Sequence, residues 1–133
     1  MRFPSQEWAD AFERALNASE GYREAARAWE GDLLLRMIVP SAPPPGVLLD
    51  LFHGECRSAR YAADTSAVES EFVYEGSAEN WGRMLRGEVD PVKSILDGTF
   101  KIRGNLAKAM RYTRAAKELV EVAASIPVET VGP

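Results

Sequence analysis

A chain of 133 residues suits one domain that buries about two-thirds of its unfolded surface, and its 46% hydrophobic and 27% charged residues are ordinary for a globular protein. The net charge of -4 gives no global attraction for nucleic acid, and a single cysteine excludes an internal disulfide framework or a multi-cysteine zinc site. The first residues lack the apolar core of a secretory signal, and the longest apolar run, Leu33 to Val39, is broken by Arg36 and too short to span a bilayer. These features describe a soluble, cytoplasmic, single-domain protein over residues 1–133, with thiols kept reduced.

Ser5 is placed to cap a first helix whose apolar residues Trp8, Phe12, Ala15 and Leu16 fall on one stripe. After a break at Asn17 to Ser19, Tyr22, Ala25, Ala26 and Trp29 repeat the pattern in a second helix that Gly31 ends. Asp32 to Val39 is near-continuously apolar, as expected of a central strand covered on both faces. The stiff segment Ser41 to Gly46 carries three prolines and joins it to a strand over Val47 to His53. Gly54-Glu55 suits a two-residue hairpin turn, and the less apolar Cys56 to Ala62 suits an edge strand. Asp64-Thr65-Ser66 is a further turn.

Val68 to Glu75 alternates, with Val68, Ser70, Phe72 and Tyr74 on one face and Glu69, Glu71, Val73 and Glu75 on the other. That pattern predicts a strand with aromatics toward the core and glutamates toward water. Ser77 caps a helix carrying Trp81, Met84 and Leu85, which Gly87 stops. Asp90 then caps a short helix opened by Pro91, with Val92, Ile95 and Leu96 expected to point inward. Gly98 leads into a strand in which Phe100 and Ile102 share one face and Lys101 and Arg103 the other. Asn105 caps a final helix predicted from Leu106 to Ile126, whose apolar arc runs through Leu106, Ala109, Tyr112, Thr113, Ala116, Leu119, Val120 and Ala123. Residues after Pro127 are expected to form a loose tail.

Few residues carry a chemical signature. His53 and Cys56, the sole histidine and cysteine, are close enough along the chain to be weighed as a base and nucleophile, but a hairpin alone makes them near neighbours. Asp50, His53 and Glu55 match no familiar metal-ligand spacing, and no catalytic, metal or cofactor site is assigned. The glycines around residue 100 form no phosphate loop, although the start of the last helix, with Lys101, Arg103 and Lys108, makes a mild anion site. Between Arg83 and Lys117 nine Lys/Arg meet three acids, giving that span +6 against -10 for the rest. A solvated helix face accounts for such a run; a rim that meets an anionic lipid surface transiently, or the phosphates of an acyl-coenzyme A, is its functional alternative.

The segment Asp90-Pro91-Val92-Lys93-Ser94-Ile95-Leu96-Asp97-Gly98-Thr99-Phe100-Lys101-Ile102-Arg103-Gly104-Asn105-Leu106-Ala107-Lys108-Ala109-Met110 resembles the hallmark region of the sterol carrier protein 2 family of nonspecific lipid-transfer domains. Gly98, Phe100, Lys101, Ile102, Gly104, Asn105, Ala109 and Met110 fit its short helix, Gly, apolar–Lys–Ile strand, Gly-Asp/Asn cap and Ala-Met helix start. The resemblance covers most of the chain from Gly31 onward. It implies an α+β fold: a five-stranded mixed, mostly antiparallel sheet covered by helices, with a long C-terminal helix and a tunnel between the layers. It also implies binding and transfer of fatty acids, fatty acyl-coenzyme A, sterols or phospholipids without catalysis or cofactor. On that reading Phe72, Tyr74, Trp81, Leu85, Ile95, Phe100, Ile102, Leu106, Ala109, Met110, Thr113 and Val120 are the candidate lining, and Lys101, Arg103 and Lys108 the candidate headgroup contacts. The chain ends Thr130-Val131-Gly132-Pro133 and not in a Ser-Lys-Leu type address, so a peroxisomal role is not expected. An accessory role, presenting a lipid intermediate such as a quinone precursor to an enzyme complex, is the alternative function.

Overall fold

The computed structural model describes residues 1–133. Helices α1 (Gln6–Ala18) and α2 (Glu20–Ala25) follow a two-residue strand β1 (Arg2–Phe3), and each is capped by a serine, Ser5 on the Trp8 N–H and Ser19 on the Tyr22 N–H. Strands β2 (Glu30–Ile38), β3 (Gly46–Phe52) and β4 (Glu55–Ala62) form a meander, and β5 (Phe72–Ser77) leads into α3 (Ala78–Leu85). The chain closes with α4 (Pro91–Leu96), β6 (Lys101–Arg103), α5 (Leu106–Met110), α6 (Thr113–Ala124) and β7 (Thr130–Val131).

The main sheet has the order β4-β3-β2-β5-β6, in which β2 and β5 run parallel and every other pair antiparallel. The apolar run of β2 therefore sits in the centre and the polar β4 at an edge, as the residue pattern predicts. Registers Leu35–Val47, Leu35–Tyr74 and Tyr74–Ile102 put these side chains on one face, which the helices cover. Leu34, Arg36, Leu48, Val73, Glu75, Lys101 and Arg103 alternate onto the opposite face.

To pass from the edge strand β4 to β5 the chain must cross that second face, and residues 63–71 do so. Thr65, fully buried, accepts from Arg36 Nε at 3.0 Å, donates its N–H to the Pro44 carbonyl at 2.8 Å, and shields Leu34 and Leu48 together with Val68. This crossing is why residues 68–71 are not strand, contrary to their alternation: the Glu71 N–H and the Ser70 hydroxyl bond to Asp32 instead of to a neighbouring ladder. It also changes the fate of Glu75, which was expected in water. Glu75 is 7% exposed, with Arg103 Nε at 2.8 Å and Arg36 Nη1 at 3.6 Å from Oε1. Period-two alternation fixes the face a residue lies on but not what covers that face.

Four further expectations are corrected. The β3–β4 turn is His53-Gly54, not Gly54-Glu55: Phe52 pairs with Glu55, and φ is +51° at His53 and +81° at Gly54, as both centres of a type I′ turn require. Trp29 lies beyond α2, donating its indole N–H to the Gly31 carbonyl at 2.9 Å as β2 begins. The final helix is broken at Arg111-Tyr112, where i→i+3 bonds from their N–H groups to Lys108 and Ala109 tighten the chain. The bend lets Tyr112 meet Trp29 edge-on at 5.0 Å and donate to the Ala28 carbonyl. The C-terminal tail is ordered: β7 pairs parallel with β1, and Phe3 packs on Trp8 and Trp81.

Candidate functional site

Between the covered sheet face and the helices lie two adjoining apolar lobes of about 90 and 100 Å³. Leu33, Ile102, Ala109, Ala116 and Leu119 border both, so one wall of residues is shared. The first lobe is enclosed by Tyr22 of α2, Ala26 just past its end, Trp29, Leu51, Phe72, Tyr112 and Ala115. The second lies over Leu35 and Tyr74, beneath Trp81 and Met84 of α3, Val92 and Ile95 of α4, and Met110, Thr113, Val120 and Ala123 of the last two helices.

The small side chains of α5 and α6 explain why space remains there. Ala109, Ala116 and Ala123 recur every seven residues on the sheet side, where larger groups would fill the gap. The polar tips of four aromatic wall residues, Trp29, Tyr74, Trp81 and Tyr112, are bonded within the protein. The Tyr74 hydroxyl meets Ser94 Oγ at 2.6 Å, and Ser94 in turn donates to the Pro91 carbonyl at 2.7 Å. Trp81 Nε1 donates to the Arg36 carbonyl at 2.9 Å. Burial pushes the Tyr22 and Tyr74 phenols well above their ordinary range, so both are neutral at physiological pH.

Of the residues named from the sequence, Phe72, Tyr74, Trp81, Ile95, Ile102, Ala109, Met110, Thr113 and Val120 border the lobes, and Leu85, Phe100 and Leu106 do not. Phe100 is instead stacked on Tyr74 at 4.6 Å and set edge-on to Trp81 at 4.9 Å, forming a solid corner of the core. Leu85 is buried within that core, while Leu106 is exposed. Leu96, expected to point inward, is 76% exposed, because α4 turns Val92 and Ile95 to the lobe. The contribution of α2 and Trp29 was not anticipated; their i, i+4, i+7 spacing carries the same signal as any buried helix stripe.

Lys101, Arg103 and Lys108 do not converge. Lys101 and Arg103 project from the sheet face opposite the lobes, where Arg103 is held by Glu75. Lys108 alone stands on the helix side, 5.0 Å from the Trp29 ring centre, with Nζ donating to Glu71 Oε2 at 2.6 Å and to the Glu30 carbonyl at 2.7 Å. His53 and Cys56 are also apart in environment. The imidazole lies flat on Phe52 and bonds Glu30 Oε1 at 2.7 Å on the surface. Cys56 is core-buried, its thiol pushed up to about 12 by that burial and donating to the Ser58 carbonyl. No three His, Cys, Asp or Glu side chains gather as a metal-binding group, and no helix is long and apolar enough to cross a membrane.

A family model described as the SCP-2 sterol transfer family matches residues 11–117. The chain belongs to that family. Membership implies lipid binding and transfer as the general role. Among solved structures, a crystal structure of sterol carrier protein 2 is 37% identical, with a TM-score of 0.85 over 91% of this chain and 96% of that one. A conserved hypothetical protein of Thermus thermophilus, described as possibly a sterol carrier protein and solved in solution, is 36% identical, with a TM-score of 0.84 over 94% and 90%. A UbiJ-SCP2 ubiquinone synthesis protein shares the fold at 12% identity, with a TM-score of 0.55 over 89% and 93%. A comparison with curated proteins finds no match. The SCP2-like fold is therefore as the hallmark segment implied, a mixed and mostly antiparallel five-stranded sheet under helices.

Proposed function

We propose that residues 1–133 act as one cytoplasmic domain that binds and transfers long-chain lipids in the cavity between sheet and helices, without catalysis. The candidate cargo is a fatty acid, fatty acyl-coenzyme A, sterol-like lipid or phospholipid. The observation that carries the reading is the chemistry of the walls: all twelve residues of the first lobe and fourteen of the sixteen around the second are hydrophobic. Such a space is poor for water, which needs polar partners, and good for hydrocarbon.

Each lobe is smaller than the ~150 Å³ of a dry engineered cavity that holds one benzene. A long chain must thread both lobes and lift their cover. The shared wall of Ile102, Ala109 and Ala116 is where they would join. Of the three candidate headgroup contacts, Lys108 is the one at a rim of the first lobe, and it would exchange Glu71 for an anionic headgroup. Burying a CH₂ gains about 0.8 kcal/mol relative to water, and a bilayer offers a similar gain, so transfer between the two is close to balanced. That balance suits a carrier.

Native mass spectrometry with lipid extraction of protein from its own host should identify the cargo, and a fluorescent fatty acid should bind saturably. Absence of saturable binding by any long-chain probe would refute the proposal. An accessory role with a quinone precursor would show as biosynthetic enzymes co-purifying in a pull-down.

A further inference from the structure

We propose that Tyr22 reads the cargo: its hydroxyl donates to the neutral carbonyl oxygen of an esterified acyl chain seated in the first lobe. The inference deepens the carrier reading and rests on it. Three polar tips belong to the aromatic walls of that lobe, those of Tyr22, Trp29 and Tyr112. Trp29 Nε1 donates to the Gly31 carbonyl, and the Tyr112 hydroxyl to the Ala28 carbonyl. The Tyr22 backbone N–H is held by Ser19 Oγ, but its hydroxyl has no hydrogen-bond partner in the protein. Tyr22 is 2% exposed, which leaves little surface for bulk water to make up the deficit.

A buried donor without a partner carries a desolvation cost that nothing repays. The second lobe has no counterpart. Tyr74 and Trp81 are bonded there, and Thr113, the other hydroxyl of that wall, is half-exposed and within reach of water. In the first lobe a trapped water is a poor substitute, because it needs two or more polar partners. All twelve lining residues are hydrophobic, and the tips of Trp29 and Tyr112 are already engaged. A ligand oxygen needs only the one donor.

Charge decides which oxygen. No charged side chain borders the first lobe, so a carboxylate drawn down to Tyr22 would lose its hydration with no cation to meet it. A free fatty acid therefore keeps its carboxylate at the rim beside Lys108, whose Nζ lies 5.0 Å from the ring centre of the lining residue Trp29. An ester or thioester carbonyl is neutral and can sit deeper. In a phospholipid or an acyl-coenzyme A that carbonyl lies between the hydrocarbon and the phosphates, so Tyr22 inside and Lys108 at the rim match one headgroup region. The phenol, held neutral by burial, is there as a donor.

The test is displacement of a fluorescent fatty acid at pH 8 by methyl palmitate and by palmitate, on wild type and Tyr22→Phe. Methyl palmitate should bind about tenfold more weakly to the variant, the effect of one neutral hydrogen bond, and palmitate equally to both. The carbonyl stretch of isotope-labelled methyl palmitate should lie at lower frequency on wild type than on Tyr22→Phe. Without ligand, Tyr22→Phe should unfold at the wild-type temperature or above, because it removes an unpaired buried hydroxyl. Equal losses for ester and acid, no loss for the ester, or an unshifted carbonyl stretch overturns the proposal. Hexadecanol distinguishes an alcohol from an ester. A loss for hexadecanol that exceeds the loss for the ester overturns the carbonyl assignment, and a smaller one supports it. Failure of wild type to bind either palmitate or its ester refutes the carrier reading. Binding of both with Tyr22→Phe indifferent refutes the Tyr22 contact alone.

Discussion

Replacing Ala116 by Leu distinguishes a cavity from a filled core by the sign of its effect. Ala116 borders both lobes from α6. Leucine adds three carbons, which on burial gain about 2.4 kcal/mol at ~0.8 kcal/mol each. Against this stand about 0.5–1 kcal/mol of lost rotamer freedom and a small loss of helix propensity. A net stabilisation of about 1–1.5 kcal/mol follows if the side chain drops into empty space. For a chain of this size that raises Tm by about 3–5 °C, and the urea midpoint should rise with the m-value unchanged. The same substitution blocks the wall where the lobes would join, so binding of a fluorescent fatty acid should weaken at least tenfold. In a filled core the added carbons would instead overpack and cost about 1–3 kcal/mol. Destabilisation with lipid binding unchanged would refute the reasoning.

Glu75→Ala should destabilise by about 3 kcal/mol in urea titration, because it leaves the largely buried Arg36 cation bonded to Thr65 but without its carboxylate, whereas Arg103→Ala should cost under about 1 kcal/mol, its side chain being 65% exposed. Gly76→Ala should cost about 1–3 kcal/mol by the same measurement: a Cβ there would meet the Phe100 ring at 2.6 Å, and that ring is pinned between Tyr74 and Trp81. Cys56 should resist a thiol reagent at pH 8 in the folded state and react at once in denaturant. Its thiol is raised from an unfolded value near 8.5 to about 12, so the neutral form stabilises the fold below about pH 8.5 and that contribution is lost as pH climbs toward 12. Cys56→Ala should flatten the alkaline fall of stability measured by pH-dependent unfolding, leaving the part due to Tyr22 and Tyr74.

Local chemistry was legible wherever a residue acts on its own neighbours. Ser5, Ser77, Asp90 and Asn105 cap the helices their positions announce, since a cap needs only the next three residues. The apolar run of β2 and the polar β4 declared centre and edge, because burial on two faces and pairing on one side leave different compositions. The hallmark segment around Gly98 to Met110 carried the family.

What depends on distant parts of the chain was not legible. Residues 68–71 alternate like a strand, yet Asp32 and the route across the sheet decide that they are not one. The arc from Leu106 to Ile126 is continuous, but the backbone tightens at Arg111-Tyr112 into two helices, and that bend sets Tyr112 against Trp29 and the Ala28 carbonyl. Lys101 and Arg103 look like part of one anion site with Lys108, until the register of β6 on β5 sends them to the far face. Periodicity orients a side chain within its own element. Only the packing of α2, α4, α5 and α6 over the sheet determines that its alanines line empty space instead of contact, because a void is a property of several surfaces failing to meet.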